Sequence, residues 1–233
     1  MATNELKLLG CWFSPFTCRV KFALNIKSLD YNNIEETFHP RSDLVLQSNP
    51  IYKKIPVLSH GDKIICESAI IVEYIDEVWK DNGASSILPS NDFDRAMARF
   101  WVSYMDDKLF NSMRNGLIAQ DEESKKKHFK RVEEVFVTLE DVINKCKNEG
   151  MEFFGGDKIG FIDICFGCYM SWVRAAEKIE GIKLLDDTKT PALVKWAEAF
   201  DVHPAVKGVV PEMNKLVEFV KGLVKRLVDA TPK

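Results

Sequence analysis

The stretch Gly10-Cys11-Trp12-Phe13-Ser14-Pro15-Phe16-Thr17-Cys18-Arg19 holds the residues whose types and spacing best suit chemistry. It stands where an apolar run suited to a strand hands over to a helical pattern. A Cys-x-x-Cys pair at such a junction makes a redox site, because the positive end of the helix stabilises a thiolate. Here Ser14-Pro15-Phe16-Thr17 fills that spacing, with a hydroxyl at each end and no sulfur. A hydroxyl cannot exchange disulfides, but it can donate a hydrogen bond to a thiolate that arrives with another molecule. The chemistry implied is activation of a substrate thiol by Ser14. The plainer alternative is that Ser14 only caps the helix, a position serine favours.

Two further segments extend this reading. In Lys53-Lys54-Ile55-Pro56-Val57-Leu58 a proline stands directly before a strand. A cis bond there would present the amide and carbonyl of Ile55 to an extended peptide, which could pair by strand addition. In Cys66-Glu67-Ser68-Ala69 an acid and a hydroxyl open a helix. Glu67 suits an ammonium group, while Ser68 and the free amides of the helix N-terminus suit a carboxylate. Taken singly, Pro56 also reads as a turn, Lys54 as a solvated charge and Ser68 as a cap.

The elements that must position these residues change character along the chain. Residues 6–10 form an apolar strand, 16–27 carry helical spacing with Pro15 in the first turn, and 31–38 alternate weakly as a second strand. Residues 55–59 and 63–66 flank His60-Gly61-Asp62 as a hairpin, and Ser68 opens a helix with Ile70, Ile71, Tyr74, Ile75 and Val78 on its stripe. A β-α-β unit followed by a hairpin and a helix is what a small thioredoxin-like sheet needs. The polar stretch 81–86 reads as a linker. Beyond Pro89 the strand signals stop, and 92–117, 122–148, 163–179, 191–200 and 211–228 all carry helical periodicity. The expected fold class is an α/β thioredoxin-like N-terminal domain plus an all-α C-terminal helical domain. Its boundaries are expected at 1–82, a linker at 83–91, and 92–233.

Composition sets the outer bounds. The 233 residues carry 32 Lys and Arg against 35 Asp and Glu, a net charge of −3, and 46% are hydrophobic. That content suits a packed core rather than disorder, and the slightly acidic balance argues against a nucleic-acid partner. The longest apolar runs are too short for a membrane span, and the N-terminal residues lack a signal-peptide pattern. Six cysteines in such a chain read as reduced thiols, which places the expected protein in the cytoplasm. Cys165-Phe166-Gly167-Cys168 lies inside an apolar helical stretch and reads as packing, not redox or metal chemistry. Asp163 reads as a structural helix-start residue. The four histidines are scattered, so no metal site is expected. Cys11 and Cys18 flank Ser14 and read as ordinary buried thiols, with mixed-disulfide formation under oxidation as the alternative.

At this point the chain resembles a plant glutathione transferase of the tau class. The resemblance rests on SPFTCRVKFAL (14–24), SNPIYKKIPVL (48–58), ICESAIIVEYIDEVW (65–79) and GGDKIGFIDI (155–164), and runs over nearly the whole chain. It implies that Ser14 stabilises the thiolate of glutathione, which is a co-substrate, and that Lys54 reaches its glycyl carboxylate. Ile55, before a cis Pro56, would pair with the cysteinyl unit, and Glu67 with Ser68 would grip the γ-glutamyl end. Where the class usually has a lysine, this sequence has Arg41, which keeps the charge with a different reach. Phe13 stands where the class often has a smaller residue, and narrows the expected pocket mouth.

The resemblance also implies conjugation of glutathione to hydrophobic electrophiles, with peroxidase activity as a side reaction, and a homodimer. The second substrate is expected between the domains, on Phe13, Phe16, Tyr104, Phe110 and Trp172. Two other functions compete. A non-catalytic carrier of flavonoids or hormones would share the same pocket. A thiol transferase would need Cys where Ser14 stands.

Overall fold

The structure, a computed structural model, describes residues 5–80, 86–146 and 151–229. β1 (Leu6–Gly10) leads into α1 (Pro15–Ile26), and β2 (Asn32–Glu35) lies parallel beside it. α2 (Asp43–Ser48) follows, then the hairpin of β3 (Val57–His60) and β4 (Lys63–Cys66), and α3 (Ser68–Val78). The sheet order is β2-β1-β3-β4, with β3 antiparallel to both neighbours. Successive residues of β1 face opposite sides, and both sides are covered. Leu8 joins the core built with α1 and α3, whereas Leu9 packs with Val57 and Val45 of α2.

The helical unit comprises α4 (Asp92–Met105), a π-helical turn (Asp106–Phe110), α5 (Asn111–Ile118), α6 (Glu122–Cys146), α7 (Phe161–Gly167), α8 (Met170–Glu180), α9 (Pro191–Val202) and α10 (Met213–Asp229). Two helices expected as single pieces are divided. The expected 92–117 is interrupted by the π-helical turn, and the expected 163–179 breaks after Gly167. Glycine is a weak helix former, and here its missing side chain admits Phe200: a Cβ would come within 2.1 Å of that ring. The strand expected over 31–38 shortens to β2, whose register with β1 runs from Asn32 to Glu35, with one further bond from the Glu36 amide to Gly10 O at 2.8 Å.

One apolar core runs through both units, from Leu8 and Leu24 to Ile164 and Leu216. Part of the linker expected at 83–91 lies outside the described residues. The remainder is clamped from both sides. Asp76 of α3 accepts the amides of Ile87 and Leu88, at 2.8 and 2.9 Å, while Ile87 O accepts the amide of Phe161 at 2.9 Å. Lys27 completes the first clamp with a buried ion pair to Asp76 at 2.7 Å. Asp163 organises the other end. Its carboxylate takes the amides of Phe154, Gly155 and Gly160 and the indole N–H of Trp196, all at 2.8–2.9 Å. No helix among the described residues is long and apolar enough to cross a membrane.

Candidate functional site

The turn from β1 to α1 is held tightly, and this places Ser14. Thr17 packs on Gly10 so closely that a Cβ there would lie 2.3 Å from its methyl carbon. Thr17 Oγ1 also accepts the amide of Cys11 at 3.3 Å, and Ser14 N donates to Cys11 O at 3.1 Å. Ser14 is then the N-cap of α1, with Pro15 in the first turn, and its Oγ accepts the amide of Thr17 at 3.3 Å. Accepting that bond leaves the hydroxyl proton available to a further acceptor. Cap and donor are therefore compatible roles.

Ser14 lines a cleft of about 340 Å³ between the two units. Phe13, Phe16, Arg41, Lys54, Ile55, Phe110 and Trp172 line it too. Trp172 of α8 fixes the front of the cleft by donating its indole N–H to Phe13 O at 2.8 Å. Phe13 stacks on Phe219 of α10 with centroids 4.0 Å apart, and Phe16 meets Phe110 edge-on at 5.1 Å. Arg41 donates to Thr37 O at 2.8 Å and lies over the ring of Phe38. The Ile55–Pro56 bond is cis, and Pro56 itself is buried behind Ile55.

Glu67 and Ser68 sit at the start of α3 and are not part of the cleft lining. Glu67 is exposed, with φ at +68°, a conformation costly for a residue with a side chain. Ser68 is buried and its Oγ accepts a hydrogen bond from Arg19 Nη1 at 3.1 Å. Arg19 in turn stands 5.3 Å from the centroid of Phe16, a residue of the cleft.

Tyr104 is not among the residues that line this cleft. It lines a different crevice, of about 470 Å³, with Asp107, Lys108, Asn111 and Arg131, where the α4–α5 stretch faces α6. Phe110, beyond the π-helical turn, lines the Ser14 cleft instead.

Several residues of this region carry no local signal strong enough to single them out in the sequence. Arg19 is wholly buried and binds Asp106, Ser68, Cys165 O and Tyr169. In the sequence it is one of two basic residues on α1, and nothing local separates it from Lys21. Arg114, Leu117 and Ile118 of α5 and Leu223, Val224 and Leu227 of α10 complete the cleft. Their helical spacing, i, i+3, i+4 on α5 and i, i+1, i+4 on α10, is visible, but the direction in which it points is set by tertiary packing.

The chain's own thiols are poor nucleophiles. Burial pushes Cys11 up to about 11, against the lowering effect of Arg41 beside it. Burial likewise pushes Cys18 up to about 12 and Cys168 up to about 11. Cys18 Sγ points at Val209 O, 3.8 Å away, rather than at the cleft lining. All six cysteines are free thiols. Among the described residues, no group of three His, Cys, Asp or Glu side chains is placed to hold a metal ion.

Comparison with known proteins agrees in both units. Residues 4–77 match the family model of the glutathione S-transferase N-terminal domain, and residues 93–204 that of its C-terminal domain. Glutathione S-transferase U18 of Arabidopsis thaliana is 50% identical over 223 residues, covering 96% of this chain and 97% of that protein. The crystal structure of a tau-class glutathione S-transferase from mango, Mangifera indica, superposes with a TM-score of 0.89 at 51% identity, covering 95% of this chain and 100% of that one. A rice glutathione S-transferase solved in complex with glutathione superposes with a TM-score of 0.85 at 31% identity, covering 97% of this chain and 99% of that one.

Proposed function

The chain belongs to the tau class of the glutathione S-transferase family, and from that premise we propose that Ser14 holds the sulfur of bound glutathione as a thiolate for attack on hydrophobic electrophiles. The observation that carries this reading is that Ser14, at the N-terminus of α1, opens onto the same cleft as the aromatic residues. An ordinary thiol with a pKa near 8.5 is mostly protonated at neutral pH, and lowering it by about two units is worth about 2.7 kcal/mol. The Ser14 hydroxyl and the helix dipole supply that stabilisation, and the proton leaves to solvent, so no general base is needed.

The tripeptide is held at three places. Lys54 and Arg41 take the glycyl carboxylate, and the backbone of Ile55 before cis-Pro56 pairs with the cysteinyl unit. Glu67 and Ser68 hold the γ-glutamyl end, with Ser68 steadied by Arg19. The domain division at 1–82 and 92–233 then separates glutathione binding from shaping of the second pocket, where Phe13, Phe16, Phe110 and Trp172 receive the electrophile. The same thiolate can attack a peroxide oxygen. A thiol transferase needs a reactive cysteine in place of Ser14, and the nearby Cys11 and Cys18 are held protonated.

Free thiols throughout suit the reducing cytoplasm. A homodimer is supported by exposed Phe93 and Phe100 on α4 and exposed Ile64 and Ile70 on the sheet-bearing unit. Sedimentation at the monomer mass would contradict it. The functional reading itself is tested by conjugation of glutathione to an activated chlorobenzene. Ser14→Ala is expected to lower turnover at least tenfold near neutral pH, and unchanged turnover would overturn the assignment.

A further inference from the structure

The cleft that holds Ser14 carries positive charge without a negative counterpart. Arg41, Lys54 and Arg114 line it, and among the described residues no Asp or Glu does. Under the proposed function, Arg41 and Lys54 are engaged by the glycyl carboxylate of glutathione. The γ-glutamyl end is accounted for at α3. Arg114 is left over, with no ion pair or hydrogen bond to its side chain among the described residues.

Its position shows which molecule it would meet. Phe110, Arg114, Leu117 and Ile118 are spaced as i, i+4, i+7 and i+8, so they share one helical stripe on the second-substrate side of the cleft. Leu223, Val224 and Leu227 of α10 form part of the same lining. Arg114 is exposed, so its guanidinium keeps its charge beside an apolar trough. A ligand with an apolar body and an anionic end fits that arrangement. The planar guanidinium matches a carboxylate with two parallel hydrogen bonds.

We infer that Arg114 is a specificity-determining residue of the second-substrate site and selects amphipathic electrophiles that carry a carboxylate. The inference rests on the proposed roles of Ser14, Arg41 and Lys54. Arg114 acts on binding and leaves the chemistry as it is. The thiolate electron pair forms the carbon–sulfur bond, the carbon–chlorine pair leaves with chloride, and the thiol proton has already gone to solvent.

The test uses 4-chloro-3-nitrobenzoate and its methyl ester as paired electrophiles, at saturating glutathione. Comparing their kcat/KM ratio between variants cancels the intrinsic difference in reactivity. Arg114→Gln is expected to lower the carboxylate-to-ester ratio about tenfold, and Arg114→Lys to restore part of it. An unchanged ratio in Arg114→Gln overturns the inference. A second arm needs no variant: decanoate is expected to inhibit conjugation of the ester by the wild-type protein at about one-tenth the concentration of 1-decanol. Equal inhibition by the two also overturns it. Failure of the underlying reading looks different. Ser14→Ala should depress turnover of both electrophiles alike, and if it does not, Ser14 is misassigned whatever the Arg114 ratio shows.

Discussion

Arg19 of α1 and Asp106 of the π-helical turn meet through two hydrogen bonds, Nη2 to Oδ1 at 2.6 Å and Nη1 to Oδ2 at 3.0 Å, across the boundary between the two units. The arginine side chain is fully buried, and Tyr169 donates its hydroxyl to the same Asp106 oxygen at 2.6 Å. Nη1 also donates to Ser68, so one guanidinium joins the domain interface to the start of α3.

Removing the charge of Asp106 leaves Arg19 buried without compensation. Asp106→Asn is expected to lower stability by about 2–4 kcal/mol, less than for a wholly buried pair because Asp106 is partly exposed. Urea denaturation checks this. The double replacement Arg19→Met with Asp106→Leu is expected to recover much of that stability, since a buried ion pair exchanged for apolar packing is often neutral. It should not recover glutathione affinity, because Ser68 has lost its donor. Calorimetric titration with glutathione separates the two effects.

Asp76 gives the fold an acid-sensitive fastening. Burial acts to raise its carboxyl, but the amides of Ile87 and Leu88 and the ammonium of Lys27 outweigh that and hold it below the ordinary carboxylate range. A carboxyl depressed in the folded state contributes stability above its unfolded pKa of about 4, and that contribution is lost as pH falls through the folded value. The urea midpoint of the wild-type protein should therefore exceed that of Asp76→Asn by a constant amount above about pH 5. The gap should narrow on further acidification. A gap independent of pH would contradict this account.

Trp172 ties the helical unit to the loop that carries Ser14, through its bond to Phe13 O. Trp172→Phe keeps an aromatic ring but leaves that carbonyl without its donor, at a cost of about 1 kcal/mol. The expected kinetic signature is a several-fold rise in KM for the electrophile with little change in KM for glutathione. Steady-state kinetics with each substrate varied in turn reads it directly.

How much of this was legible in the sequence depends on how local each feature is. Ser14 was readable because capping, Pro15 and the strand-to-helix change all lie within a few residues, and the same holds for Pro56 before β3. The order β-α-β, hairpin, helix was readable for the same reason. The placement of Tyr104 in a separate crevice was not readable, because helix phase, not residue type, decides which cleft an aromatic enters, and the π-helical turn at Asp106–Phe110 leaves no mark in composition. Arg19 was missed because its partners lie 49 to 150 residues away along the chain. Arg114 was missed because a lone charge on a helix resembles any solvated residue until α10 closes the cleft beside it.

The central claim is that the Ser14 hydroxyl lowers the pKa of a thiol the chain does not own. The direct measurement is a spectroscopic titration of bound glutathione, following thiolate absorbance in the wild-type protein and in Ser14→Ala, at saturating glutathione. The account predicts a wild-type pKa about two units below the ordinary thiol value of about 8.5, and a return of most of that shift in the variant while glutathione stays bound. The same depressed pKa in both proteins would contradict it.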